Sequence, residues 1–316
     1  MRLMNAADTQ AALPFGRLIP ALRAMFASGC QVPLRHTHAL QPGSADAVTS
    51  LLMPAWTSPG SGPGHYGVKI VNIAPGNAAR GLPGLHASYL LHDAATGVPL
   101  ALIDGDQITA RRTAAASALA ASYLARADAG QLLVVGAGRV AALLPEAYRA
   151  VRDIQRITVW ARRPAAAQGL AQHWRAQGWD AQAAADLAEA VAQADIVSCA
   201  TLASTPIVQG RWLQSGSHLD LIGGFTPAMH EADDACFQSA SLFVDTDEAL
   251  AKAGDLLSPM SRGVFVAGDV QACLADLCCG RHPGRRHAAE RTVFKSVGTA
   301  LEDLAAAVLA WQARAV

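Results

Sequence analysis

The chain has 316 residues, with 25 basic and 25 acidic side chains and a formal net charge of zero. That balance excludes binding by bulk charge, whether to nucleic acid or to an acidic membrane surface. At 52% hydrophobic and 16% charged, the length fits two domains with sizeable cores. No apolar run reaches the length that spans a bilayer. The start, Met1-Arg2-Leu3-Met4-Asn5-Ala6, lacks the apolar stretch of a signal peptide. Cys30, Cys199, Cys236, Cys273, Cys278 and Cys279 form neither a CxxC pair nor a zinc-spaced cluster. A cytoplasmic enzyme with reduced thiols and no metal site is expected.

The first third of the chain reads as an antiparallel sheet. Apolar runs lie at 67–73, 87–92 and 99–103, and Asp93-Ala94-Ala95-Thr96-Gly97 between the last two reads as a hairpin turn. An Ala-rich helix over 113–127 follows, with Gly130 placed for its C-terminal cap. Next come an apolar run at 132–135, the turn Gly136-Ala137-Gly138-Arg139-Val140-Ala141, a helix, and a second run at 157–160. This is a strand–turn–helix–strand unit with glycines where a phosphate-binding turn needs them. Gly136 allows the turn, Gly138 lets a pyrophosphate approach the backbone, and Ala141 keeps helix and strand close. The helix N-terminus then offers free N–H groups to the anion.

Further strands are expected at 196–200, 218–222 and 242–245. Helices are expected at 187–193 and 231–237, and the Ala tracts 165–167 and 183–185 also read as helical. Alternating helix and strand make a doubly wound parallel sheet. The basic segment 280–291 reads as a solvated loop. A last helix over 296–314 carries Leu301, Leu304, Val308 and Trp311 near helical spacing.

The end of the second run bears on the cofactor. NAD-preferring folds place a carboxylate about 20 residues past the first glycine. Here the chain reads Ala161-Arg162-Arg163-Pro164. Two guanidiniums suit a 2′-phosphate, so NADPH is expected, with NADH possible. The alternative is a solvated pair opening a surface helix. Three cations stand out earlier: Arg35, Lys69 within an apolar strand, and Arg112. Strand alternation leaves Lys69 free to face either core or solvent. Together the three suit an anionic substrate.

Several segments resemble the ornithine cyclodeaminase/mu-crystallin family. They are Gly67-Val68-Lys69-Ile70-Val71, Gly97 to Gly105, Ile108 to Ser117, Val134 to Gly138, and Thr292-Val293-Phe294-Lys295-Ser296-Val297-Gly298 with Ala300-Leu301-Glu302-Asp303. The resemblance implies a substrate and dimerisation domain from 1–112 with 292–316, and a Rossmann domain over 113–291. It implies a homodimer built through the first domain, with the C-terminal helix packed back on it. It also implies that Arg35, Lys69 and Arg112 hold a substrate carboxylate. The expected cofactor contacts are Arg112, Thr113, Gly136, Gly138, Arg139, Val140, Arg162, Arg163, Thr201, Gly223 and Lys295.

One departure bears on activity. Ornithine cyclodeaminases carry an aspartate after a glycine pair, in a Gly-x-Asp-x-Pro-Gly-Lys type of loop. Here that loop reads Ile222-Gly223-Gly224-Phe225-Thr226-Pro227-Ala228-Met229-His230-Glu231. Phe225 stands in the aspartate's place and the lysine is missing. Phenylalanine cannot move a proton or pair with an ammonium. The Gly-Phe-Thr-Pro-x-Met form is similar to bacterial reductases of Δ1-pyrroline-2-carboxylate and Δ1-piperideine-2-carboxylate. Such substrates need a carboxylate clamp, an apolar wall that Phe225 can supply, and a proton on the imine nitrogen. Either the substrate carries that proton in or a residue supplies it, and Lys69 is then the candidate donor, because burial among cations lowers a lysine's pKa. His86 and Thr109 are secondary candidates. Two alternatives remain open: an ornithine cyclodeaminase or alanine dehydrogenase-like NAD enzyme, and a nucleotide- or ligand-binding protein without turnover.

Overall fold

A computed structural model describes residues 1–41, 43, 47–57 and 64–313. Its strands are β1 (Arg2–Met4), β2 (Cys30–Gln31), β3 (His36–Leu40), β4 (Val48–Thr57), β5 (His65–Ile73), β6 (Leu85–Asp93), β7 (Pro99–Asp104), β8 (Gln131–Val135), β9 (Arg156–Trp160), β10 (Ala181–Ala183), β11 (Ile196–Cys199), β12 (His218–Leu221), β13 (Ser241–Val244), β14 (Val270–Cys273) and β15 (Thr292–Lys295). The helices are α1 (Ala6–Ala12), α2 (Phe15–Ser28), α3 (Gly105–Leu124), α4 (Arg139–Arg149), α5 (Pro164–Ala176), α6 (Leu187–Gln193), α7 (Ala249–Lys252), α8 (Gly254–Ser261), α9 (Leu274–Cys278) and α10 (Ala300–Gln312). The chain divides into two compact units, Met1–Arg112 with Thr299–Val316, and Thr113–Gly298. No helix among the described residues is long and apolar enough to cross a membrane.

The first unit holds a seven-stranded sheet in the order β1-β7-β6-β5-β4-β2, with β3 also paired to β4. All pairings are antiparallel except β1 with β7. Strand β5 alternates buried and half-buried residues, as expected when only one face of a sheet is packed. Helices α2 and α10 contact each other, and α10 lies on β4 and β5. Helix α10 starts at Ala300, capped by the Thr299 side chain, rather than at 296. Arg314, the expected end, lies outside the described residues.

The second unit holds an eight-stranded parallel sheet in the order β10-β9-β8-β11-β12-β15-β13-β14. Strands β8, β11 and β12 are buried almost throughout, as parallel strands covered on both faces require, and β12 buries the polar His218 and Asp220 alongside its leucines. The order reverses between β8 and β11, which makes that edge the topological switch point. The fold is therefore α/β, a Rossmann-type sheet with a separate antiparallel sheet. Thr292–Lys295, expected with the first domain, forms β15 between β12 and β13.

Other boundaries also differ from expectation. Helix α3 runs from Gly105 to Leu124, eight residues earlier than its expected start at 113. Its end is capped by arginines rather than by Gly130. Arg152 Nη2 donates to the carbonyls of Ala121, Ser122 and Ala125, and Arg285 Nε donates to that of Leu124 at 2.7 Å. Arg285 thereby anchors the basic segment, which is not simply solvated. The segment expected to be helical over 231–237 contains only a short turn at Asp234–Cys236, because Glu231 is occupied by buried contacts. The tract 183–185 is not helical: Ala183 ends strand β10.

Candidate functional site

Gly136 follows β8 and Gly138 caps α4. Gly136 has φ +124°, and a Cβ there would lie 2.5 Å from the carbonyl oxygen of Ala200. Only glycine fits. A Cβ on Gly138 would meet nothing within 4 Å, so open space lies above the turn. Arg139 is exposed, Val140 is half-buried, and Ala141 is fully buried under the helix. Open space, free N–H groups and the helix N-terminus fit a dinucleotide's pyrophosphate. Arg162 and Arg163 lie just past β9 and are exposed. Arg163 caps α5 through its backbone alone, which leaves its guanidinium out of the helix.

Across the switch point, Thr201 follows β11 and Gly223 follows β12. A buried carboxylate ties them together. Glu231 Oε1 accepts the Thr201 N–H at 2.7 Å and the Thr201 hydroxyl at 2.8 Å, while Oε2 accepts the Gly223 N–H at 2.6 Å. Glu231 is completely buried. Burial pushes its pKa up, while Lys295 and the Thr201 donors pull it back. Asp255 Oδ1 in turn accepts the Glu231 N–H at 2.7 Å.

Lys295, expected to touch the cofactor, does something else. It is fully buried, donates to the Leu221 carbonyl at 3.0 Å and pairs with Asp255 at 3.2 Å. Its ammonium supports the loop from beneath. Asp245, at the end of β13, accepts the N–H groups of Val297 and Gly298 at 2.8 and 2.6 Å. That explains the fixed course of the Phe-Lys-Ser-Val-Gly segment. Phe225 stands past Gly224, 44% exposed. It is a solvent-facing apolar ring on an otherwise anchored loop.

The first unit brings Lys69 and Arg112 together. Lys69 lies on the inward face of β5, opposite Met53 and Tyr89, and is 1% exposed. Its ammonium pairs with Asp303 Oδ2 at 2.7 Å. Arg112 Nε pairs with Asp303 Oδ1 at 2.9 Å, and its Nη1 with Glu302 Oε2 at 2.6 Å. Two cations thus face two carboxylates. Burial lowers the Lys69 pKa to about 8; Asp303 opposes that shift and Arg112 adds to it. Asp303 is held below the usual carboxylate range, since Lys69 and Arg112 outweigh its burial. Lys69 therefore gives up its proton more readily than an ordinary lysine, whereas Arg112 stays charged. Arg35 is half-buried just before β3, Thr109 and Thr113 are half-buried along α3, and His86 is exposed on β6.

Sequence reasoning overlooked Asp303 and Glu302 as partners of the clamp. The signal was present: they are the only charged residues in α10, a helix otherwise of Ala, Leu, Val, Trp and Gln. A buried charge needs a partner, and the first turn of a helix favours carboxylates. The roles of Glu231, Asp245 and Asp255 had no comparable signal, because most of their partners are backbone amides and the side-chain partners, Thr201 and Lys295, are distant in sequence.

Comparison with known proteins agrees with this geometry. Residues 20–314 match the ornithine cyclodeaminase/mu-crystallin family. The chain is 46% identical over 241 residues to the Δ1-pyrroline-2-carboxylate reductase of Paracoccus denitrificans, covering 76% of each. The Thermococcus litoralis Δ1-pyrroline-2-carboxylate reductase, solved with NADH and L-proline, superposes with a TM-score of 0.92 at 33% identity, covering 99% of this chain and 97% of that one. An archaeal alanine dehydrogenase dimer with bound NAD superposes with a TM-score of 0.90 at 28% identity, covering 99% and 95%. This chain belongs to the ornithine cyclodeaminase/mu-crystallin family.

Proposed function

We propose that the protein is an NADPH-dependent reductase of a cyclic imino acid, Δ1-pyrroline-2-carboxylate or Δ1-piperideine-2-carboxylate, giving proline or pipecolate. The observation that carries this reading is Phe225. The loop after β12 offers an exposed aromatic ring where a cyclodeaminase needs a carboxylate. The reductase relatives and the neighbour solved with NADH and L-proline support it.

The bound cofactor supplies a hydride. Gly136, Gly138, Arg139 and Val140 hold its pyrophosphate, and Thr201 and Gly223 border its other half. Arg162 and Arg163 take the 2′-phosphate as planar, permanently charged donors; NADH remains usable without that contact. Arg112 binds the substrate carboxylate with Arg35, and Thr113 adjoins it in sequence. Lys69 holds a proton for the imine nitrogen, and its lowered pKa lets it release that proton near neutrality. Phe225 packs against the flat ring.

A homodimer through the first sheet fits the same reading. Its outer face carries Leu3, Pro54, Trp56, Val68, Leu90 and Leu102, all exposed or half-buried. A contiguous apolar face of that kind suits a two-fold contact, and the similar alanine dehydrogenase is described as a dimer.

The assay pairs NADPH with Δ1-piperideine-2-carboxylate, and NAD with L-ornithine, following absorbance and ammonia. NADPH consumption with the imine and no ammonia from ornithine is expected. Robust ammonia release would sink the reductase reading. Phe225→Asp should damage imine reduction by setting a charge against the ring.

A further inference from the structure

We propose that Glu231 is a positioning residue for the nicotinamide half of the cofactor: it locks the loop after β11 to the loop after β12. The inference rests on the dinucleotide reading above. It assigns Glu231 no contact with cofactor or substrate.

The geometry is closed on every side. Both Glu231 oxygens are used, with Thr201 on one and Gly223 on the other. The Glu231 backbone is fixed by Asp255, and Asp255 is fixed by Lys295. The two glycines of the loop follow from this arrangement. A Cβ on Gly223 would lie 1.9 Å from the Thr201 carbonyl oxygen and 2.4 Å from Glu231 Oε1, and one on Gly224 would lie 2.1 Å from Asp255 Oδ2. The carboxylates, with the Thr201 backbone that Glu231 draws in, occupy the space that side chains would need.

Fold stability alone does not call for such a device. Strands β11 and β12 already pair through Cys199 and Leu221. The bracket extends order past the ends of those strands, into the two loops at the switch point. Thr201 also borders the phosphate turn, since its methyl carbon would lie 3.4 Å from a Cβ on Gly136. Open α/β sheets bind their ligands at this edge. Burying a carboxylate there is unfavourable unless donors surround it, and the three donors belong to the two loops.

Glu231→Gln tests the idea. A carboxamide has one oxygen, and its NH2 would oppose one of the N–H donors. Binding of two probes to the full-length protein is measured by titration calorimetry. One is NADPH, which spans both halves of the site. The other is adenosine 2′,5′-bisphosphate, which occupies the adenosine half alone. NADPH affinity is expected to fall about tenfold or more, with the bisphosphate changed by less than about twofold. Thr201→Val, which removes one donor at nearly constant volume, should shift NADPH in the same direction by a smaller factor. It serves as the test if Glu231→Gln does not fold. Equal losses for both probes, or no loss for either, would overturn the role of Glu231. Absence of NADPH binding by the wild type would instead refute the dinucleotide reading. Neither result depends on the imine being the substrate.

Discussion

Replacing Asp303 with Asn isolates the electrostatics of the clamp. Asp303 bridges Lys69 at 2.7 Å and Arg112 at 2.9 Å, all three buried. The substitution keeps the volume and removes the charge. Lys69 has an escape, because its pKa is already about 8. At pH 7, giving up that proton costs on the order of 1 kcal/mol, which limits what the Lys69 pair contributes. Arg112 has no such escape and loses a charge-assisted bond of about 1.5–3 kcal/mol. The total is about 3–4 kcal/mol, or a fall in Tm of roughly 4–7 °C for a chain of 316 residues. The sign with pH follows from Lys69. Its folded pKa lies below its unfolded value of 10.5. Native stability therefore rises with pH from about 8 to 10.5, where only the unfolded state keeps the proton. Without Asp303 the folded pKa drops further and that rise begins earlier. The gap between wild type and Asp303→Asn should thus narrow, by on the order of 1 kcal/mol, between pH 7 and pH 9.5. Urea unfolding at the two pH values measures it. A gap that stays constant would show that Lys69 and Asp303 are not a charged pair in the folded protein.

Arg162→Asp should weaken NADPH by about tenfold or more and leave NADH much less affected, as read by cofactor titration. Equal losses would mean that the arginines only shape the surface. Asp220 is buried under donors from Ser117, Tyr148 and Ser198, and burial raises its pKa to about 6, against an ordinary value of 3.8. The native state takes up a proton there before the unfolded state does, so this group's contribution to stability grows as pH falls from 6 toward 4. Asp220→Asn should abolish that increment in denaturation curves at pH 7 and pH 5. An unchanged difference would place the titration elsewhere.

The legible parts of this fold are those whose physics is local. Glycine spacing with flanking apolar runs marks the phosphate turn, because the turn, the close approach and the helix start all fall within residues 132–141. The 67–73 run gave a strand but not the direction of Lys69. Alternation offers two faces, and only the packing of α10 selects one. Strand β15 was invisible as part of the parallel sheet. Its residues lie 74 positions beyond their partners in β12, and its neighbours are fixed by tertiary pairing. Helix α3 could not be placed correctly from its cap, because the groups that end it, Arg152 and Arg285, come from distant segments. The carboxylates at the sheet edge were hidden for a related reason. Glu231, Asp245 and Asp255 bind backbone N–H groups, which every residue carries and no sequence pattern records. Motifs report where a ligand approaches the chain. They are silent on buried charges such as Glu231 and Asp255, which bind the backbone of the loops after β11 and β12 without leaving a pattern in the sequence.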